Sequence, residues 1–122
     1  MSVRCSGQFA IVGCGIMGEA LLVSIIKSGI DSSSILISDK RIERTSELAA
    51  KYGCKVFSAE EIASSSENIL LVVKPQDMDS LLESVGKSIS AGQRVISFAA
   101  GKKTSSIEKY LSEGVPVLRV LS

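Results

Sequence analysis

A doubly wound α/β fold, in which helices cover both faces of a mostly parallel six-stranded sheet, is the class this sequence predicts. Three observations predict it. Short apolar runs of strand length alternate with helical patterns along the chain, the arrangement of a sheet covered on both faces. The first such run, FAIV at residues 9–12, opens directly into Gly13-x-Gly15-x-x-Gly18 and then into a helix-forming stretch. No linker or repeat divides the 122 residues, so residues 1–122 are read as one domain.

Each element has its own justification. The strands are placed at residues 9–12, 35–38, 55–57, 69–73, 94–97 and 117–120, most of them apolar throughout. A first helix over about residues 16–28 carries Leu21, Leu22, Ile25 and Ile26 as one stripe and stops at Gly29, where a left-handed cap is wanted. A second is expected to line up Ile42, Thr45, Ala49 and Tyr52 and to end before Gly53, with Arg41, Glu43, Arg44, Glu47 and Lys51 solvated. Ser58-x-x-Glu61 has the form of a capping box for a third helix. Pro75 suits the first turn of a fourth, whose Met78, Leu81, Leu82 and Val85 recur at helical spacing. Ser105-x-x-Glu108 offers a capping box for a fifth helix reaching Leu111. The serine runs at 32–34 and 64–66 fall between helix and strand and read as turns. Right-handed crossovers then favour the strand order 3-2-1-4-5-6. Ligand is expected at the carboxyl ends of strands one and four.

Bulk composition narrows the function. With 14 Lys+Arg against 13 Asp+Glu there is no large basic surface for nucleic acid, which is excluded as a partner. No apolar run approaches the roughly 18 residues of a membrane span, and MSVRCSGQ lacks the apolar core of a signal peptide, so a cytoplasmic chain is expected. Cys5, Cys14 and Cys54 are odd in number and widely spaced, and no histidine is present, which points to free thiols and no metal site. The missing histidine also removes the usual neutral-pH general base, so chemistry must come from a cofactor or from another part of a larger protein.

The glycines at 13, 15 and 18 have separate tasks: a sharp turn, close approach of backbone to phosphate, and tight packing of helix on strand. The helix N-terminus behind them supplies free N–H groups and a partial positive charge for a pyrophosphate. Asp39 follows the second strand 21 positions after Gly18, where a Rossmann-type fold places the residue that meets the adenosine ribose. Lys40 and Arg41 directly after it, with Arg44 one turn on, are the alternative, a cluster suited to the 2′-phosphate of NADP. The apolar strand over residues 69–73 stops abruptly at Lys74-Pro75-Gln76 in the same crevice, and Ser97-Phe98-Ala99-Ala100-Gly101 ends the next strand in small residues that let a flat ring lie on backbone.

Taken together, GCGIMGEAL, VVKPQ and ISFAAGK, in that order and spacing, resemble pyrroline-5-carboxylate reductase, and VPVLRVLS looks like that family's next segment. The resemblance covers essentially the whole chain. It implies NAD(P)H-dependent reduction of a cyclic imine, 1-pyrroline-5-carboxylate, to L-proline, with NADPH as cofactor and NADH possible. It implies that Val12, Gly13, Cys14, Gly15, Ile16, Met17 and Gly18 surround the pyrophosphate. Asp39, Lys40 and Arg41 would then meet the adenosine ribose or its phosphate, with Glu60 on the adenine side. Val72, Val73, Lys74 and Pro75, with Phe98, Ala99 and Ala100, would border the nicotinamide ribose and ring. No catalytic residue is assigned.

The match departs from the family in two ways. Where the family continues as Arg-x-Met-Pro-Asn, this sequence has Arg119, Val120, Leu121 and Ser122. The family's second, helical domain, which forms a homo-oligomer and supplies much of the imine site, has no counterpart in these residues. The 122-residue chain is therefore expected to bind dinucleotide weakly, to be inactive alone, and to expose an apolar surface. The sequence is also compatible with two other readings. One is the cofactor domain of another reductase, of the hydroxyacid or prephenate dehydrogenase type or a deazaflavin-dependent NADP reductase. The other is a stand-alone, non-catalytic dinucleotide-binding module.

Overall fold

Residues 8–98 and 103–120, described by a computed structural model, form β1 (Phe9–Val12), α1 (Ile16–Lys27), β2 (Leu36–Ser38), α2 (Ile42–Tyr52), β3 (Lys55–Val56), α3 (Ala59–Ser65), β4 (Asn68–Leu71), α4 (Pro75–Val85), β5 (Arg94–Ser97), α5 (Thr104–Glu108) and β6 (Val117–Arg119). The strands make one sheet in the order β3-β2-β1-β4-β5-β6, and every neighbouring pair is parallel. This is the predicted Rossmann-type order. Its reversal point lies between β1, which pairs Val12 with Ser38 on one side, and β4, which pairs Leu71 with Val12 on the other.

Alternation along the strands sends side chains into two separate cores. Ala10, Val12, Leu36, Ile69, Leu71 and Val95 face one side, where Ile62 of α3, Met78 and Leu82 of α4 and Ile107 of α5 cover them. Ile11, Ile35, Ile37 and Leu70 face the other, under Leu22 of α1 and Leu48 of α2. Each fully buried Ile or Leu contributes about 1.5–3 kcal/mol relative to exposure, so both layers are needed and neither helix layer is dispensable.

Helix ends follow the local chemistry. Gly29 beyond α1 and Gly53 after α2 have φ of +107° and +84°, the left-handed stops expected of them. The Ser58–Glu61 capping box is formed in both directions, and Pro75 occupies the first turn of α4.

Several expectations are corrected. Leu48, not Ile42, is the apolar residue α2 buries; Ile42 opens the helix and is 75% exposed. The Ser105–Glu108 capping box is not formed, because α5 begins at Thr104, two residues before the start that an N-cap at Ser105 would give, after an uncapped Lys103. The fourth strand runs over Asn68–Leu71, so Val72 and Val73 already leave the sheet, although the Val72 N–H still donates to the Val12 carbonyl at 2.8 Å. Arg44, expected in solvent, is half-buried against the glycine turn with a side chain only 19% exposed.

Candidate dinucleotide site at the carboxyl edge of the sheet

Between β1 and α1 the chain reverses on three glycines whose surroundings differ. Gly13 has φ +105°, strained for any side chain, and an added Cβ would lie 2.7 Å from the Val72 carbonyl carbon. The turn is thus pressed onto the segment leaving β4. A Cβ added at Gly18 would collide with the Gly13 carbonyl oxygen, so α1 starts hard against the turn. Gly15 needs no glycine for its conformation: φ −80° and ψ −156° are extended backbone. A Cβ there would meet nothing within 4 Å. What Gly15 preserves is open space, and that space belongs to a cleft.

This cleft encloses about 830 Å³ along the carboxyl edge of the sheet. Val12, Gly13, Cys14 and Gly15 line it from β1, Ser38, Asp39, Lys40 and Arg41 from the end of β2, and Val72, Val73 and Lys74 from the end of β4. Ser58, Ala59 and Glu60 contribute from the start of α3, and Asp77, Ser80, Leu81, Ser84 and Val85 from α4. Gly15 in this lining is the N-cap of the 12-residue α1, a helix N-terminus with no side-chain cap, where free amides and helix dipole favour an anion. An open space in front of an uncapped helix N-terminus fits a dinucleotide pyrophosphate.

The turn is gripped from two sides. Asp39 Oδ2 accepts the Cys14 N–H at 2.7 Å, and Oδ1 accepts the Arg41 N–H at 2.8 Å. The Arg41 guanidinium closes on the same carboxylate through Nε at 3.0 Å and Nη2 at 3.1 Å. Burial alone would raise the Asp39 carboxyl, but the Arg41 side chain and the Arg41 and Cys14 amides outweigh it and hold it at about 2. On the other side, Arg44 Nε donates to the Cys14 carbonyl at 2.6 Å and Nη2 to Glu19 Oε1 at 2.9 Å. Bonds from Tyr52 and Arg44 in turn keep the Glu19 carboxyl at about 2. Lys40 reaches across the mouth to Asp77 at 3.5 Å.

Cys14 is inert in this setting. Its thiol is buried, donates to the Ser38 carbonyl at 3.5 Å, and is pushed up to about 12 by burial first and by the neighbouring Asp39 charge second. The small side chain fills the slot; it does not act as a thiolate.

Eleven of the residues singled out in the sequence therefore share one cleft: Val12 to Gly15, Asp39 to Arg41, Glu60, and Val72 to Lys74. Others lie outside its lining. Ile16 and Met17 face outward, 90% and 54% exposed, and Gly18 is buried beneath the turn. Pro75 starts α4, and Phe98 packs half-buried on the α1/α2 side of the sheet. Ala99 and Ala100, like Cys5, lie outside the described residues.

A family model described as NADP oxidoreductase, coenzyme F420-dependent, matches residues 8–101. The chain belongs to that family. Among its curated relatives, the pyrroline-5-carboxylate reductase of Methanosarcina acetivorans is 36% identical over 116 residues, 93% of this chain and 43% of the relative. Pyrroline-5-carboxylate reductase 1 of Bacillus spizizenii is 34% identical over 117 residues, 93% of this chain and 39% of the relative. In fold, the chain is similar to a pyrroline-5-carboxylate reductase from Coxiella burnetii, with a TM-score of 0.86 at 24% identity over 93% of this chain and 43% of that one. A pyrroline carboxylate reductase of Plasmodium falciparum with NADP bound gives a TM-score of 0.77 at 21% identity over 92% of this chain and 40% of that one. The chain spans about two-fifths of the length of the curated relatives it matches.

Two sets of residues at this site lay outside the sequence reading. Asp77, Ser80 and Ser84 face the cleft from α4, and their only sequence signal is polar residues at near-helical spacing after Pro75. Arg44 and Glu19 hold the turn across 25 residues of sequence, a contact that exists only once α2 packs on α1. Among the described residues, no helix is long and apolar enough to cross a membrane.

Proposed function

We propose that this chain is the cofactor-binding domain of a pyrroline-5-carboxylate reductase, which reduces 1-pyrroline-5-carboxylate to L-proline with NADPH and accepts NADH less readily. The observation that carries the reading is relatives of that name aligned over 93% of the chain, across the glycine turn and the β4 exit that line one cleft. When bound, the nicotinamide supplies the hydride, transferred from its C4 to the imine carbon.

The residues of this chain bind and orient. Amides of the turn and of the α1 N-terminus hold the pyrophosphate. Asp39 and Arg41 meet the adenosine ribose, Lys40 its 2′-phosphate, and Glu60 the adenine side. Val72, Val73, Lys74 and Pro75, with Phe98, Ala99 and Ala100, border the nicotinamide ribose and ring, where placement lowers the entropic part of the barrier. None of these residues is assigned as the proton donor to the imine nitrogen. That group, the remainder of the substrate pocket and the homo-oligomer contact belong to a second, helical domain, and the whole enzyme works on a small molecule in the cytoplasm, with neither nucleic acid nor membrane as partner.

The test is a pair of assays on the 122-residue chain. Titration with NADPH gives saturable quenching or enhancement of nicotinamide fluorescence, while addition of the cyclic imine gives no oxidation. Imine-dependent NADPH oxidation by this chain alone contradicts the division of labour. The family description favours a second reading, an NADP reductase that exchanges hydride with a deazaflavin. An enzyme containing this domain that oxidises NADPH with the deazaflavin and not with the imine selects it.

A further inference from the structure

We propose that Arg44 is a positioning residue for the phosphate-binding turn, fixing the direction of the Gly15 N–H from behind the site. The inference rests on the dinucleotide reading of the same cleft. Arg44 stands on α2 and is absent from the cleft lining, yet its Nε makes a 2.6 Å hydrogen bond to the Cys14 carbonyl, with Nη2 3.4 Å from the Gly15 carbonyl. In a planar trans peptide the carbonyl and the following N–H point in opposite directions, and no cis peptide occurs among the described residues. Holding the Cys14 carbonyl toward α2 therefore aims the Gly15 N–H the other way, toward the open space that Gly15 keeps clear.

The guanidinium is itself immobilised. Glu19 Oε1 accepts from Nη2 at 2.9 Å and Glu47 from Nη1 at 3.3 Å, while Glu19 Oε2 takes the Tyr52 hydroxyl and, at 3.4 Å, Lys51. Glu19 lies in the first turn of α1, so one guanidinium ties the turn, α1 and α2 together. Lysine cannot copy this, because the arrangement uses Nε and both terminal nitrogens of a rigid fork. Asp39 completes the grip by holding the Cys14 N–H, so within the turn the Gly15 amide, with those of the α1 N-terminus behind it, is the one turned to ligand.

Because the Gly15 amide meets the pyrophosphate, the effect of Arg44 falls equally on every ligand that carries a diphosphate. Arg44→Gln, Arg44→Lys and Tyr52→Phe variants of the 122-residue chain are titrated with NADPH, NADH and ADP and melted without ligand. The expected result is a rise of about tenfold in Kd for all three ligands with either Arg44 substitution, the worth of one charged hydrogen bond, and about twofold with Tyr52→Phe. A lower melting temperature with unchanged Kd values shows Arg44 to be only a stabilising ion pair and overturns the proposal. So does weakening confined to NADPH, which makes Arg44 a 2′-phosphate ligand. If Arg44→Gln does not fold, an unchanged set of Kd values for Tyr52→Phe overturns it as well. A wild-type chain that binds none of the three refutes the dinucleotide reading along with this inference, whereas wild-type binding beside indifferent variants refutes the inference alone.

Discussion

At the level of single residues, the glycines of the turn separate stability from binding. Gly18→Ala drives a methyl into the Gly13 carbonyl, an overpacking expected to cost about 1–3 kcal/mol and to lower the melting temperature by several degrees in a thermal scan. Lys40 makes a different prediction. Its side chain is 82% exposed and only loosely paired with Asp77, so Lys40→Ala leaves stability unchanged. It raises the Kd of NADPH about tenfold and that of NADH hardly at all, read by parallel titrations. The glycine turn was legible in the sequence because its signal is local: an apolar run, three glycines at fixed spacing and a helix. The hold of Arg44 on the turn was not, since a solvated basic residue, a 2′-phosphate ligand and a half-buried clamp look alike until α2 is packed against α1. Asp39 and Arg41 read in sequence as rival signals, an acid for the ribose hydroxyls against a base for a 2′-phosphate; in the structure the Arg41 guanidinium closes on the Asp39 carboxylate.

At the level of elements, acid should loosen the joint between β1, β2 and the two helices on that face. Asp39 and Glu19 each fall from ordinary carboxyl values, 3.8 and 4.5, to about 2 in the folded chain. A carboxyl with a lowered folded pKa binds more protons when unfolded, so its stabilisation is complete above the unfolded value and is lost as pH falls through the folded one. The melting temperature is therefore expected to be nearly flat from about pH 6 to 8 and to drop between about pH 4.5 and 2, with a shallower acid limb in Asp39→Asn. An equally steep limb in that variant removes Asp39 from the account. Strand order and both cores followed from period and crossover rules, which depend on many residues at once. Ends were less legible. The polar run from Lys103 to Ser106 offers several capping residues, and the helix starts at Thr104, two residues earlier than the Ser105 box implied.

For the whole molecule, the carboxyl edge carries both the cleft and a share of the exposed apolar surface. Ile16 and Met17, which follow the lining residue Gly15, are 90% and 54% exposed, and the edge strand β6 leaves Leu118 at 55% and Val120, just beyond it, at 46%. An edge strand with exposed apolar residues is a site for association. Sedimentation is expected to show the 122-residue chain self-associating as concentration rises, and Leu118→Lys is expected to reduce that association. The arrangement agrees with a domain that works against a second body across its sheet edge, the division proposed for the whole enzyme.

The central claim is that the space before Gly15 is where a dinucleotide's linked phosphates lie. Gly15→Ala addresses it most directly, because the backbone there accepts any residue and the added methyl meets no protein atom within 4 Å. Measured side by side by thermal melting and NADPH titration, the variant is predicted to melt with the wild-type chain and to bind NADPH at least about tenfold more weakly. A Gly15→Ala chain that binds NADPH as tightly as wild type would contradict the account.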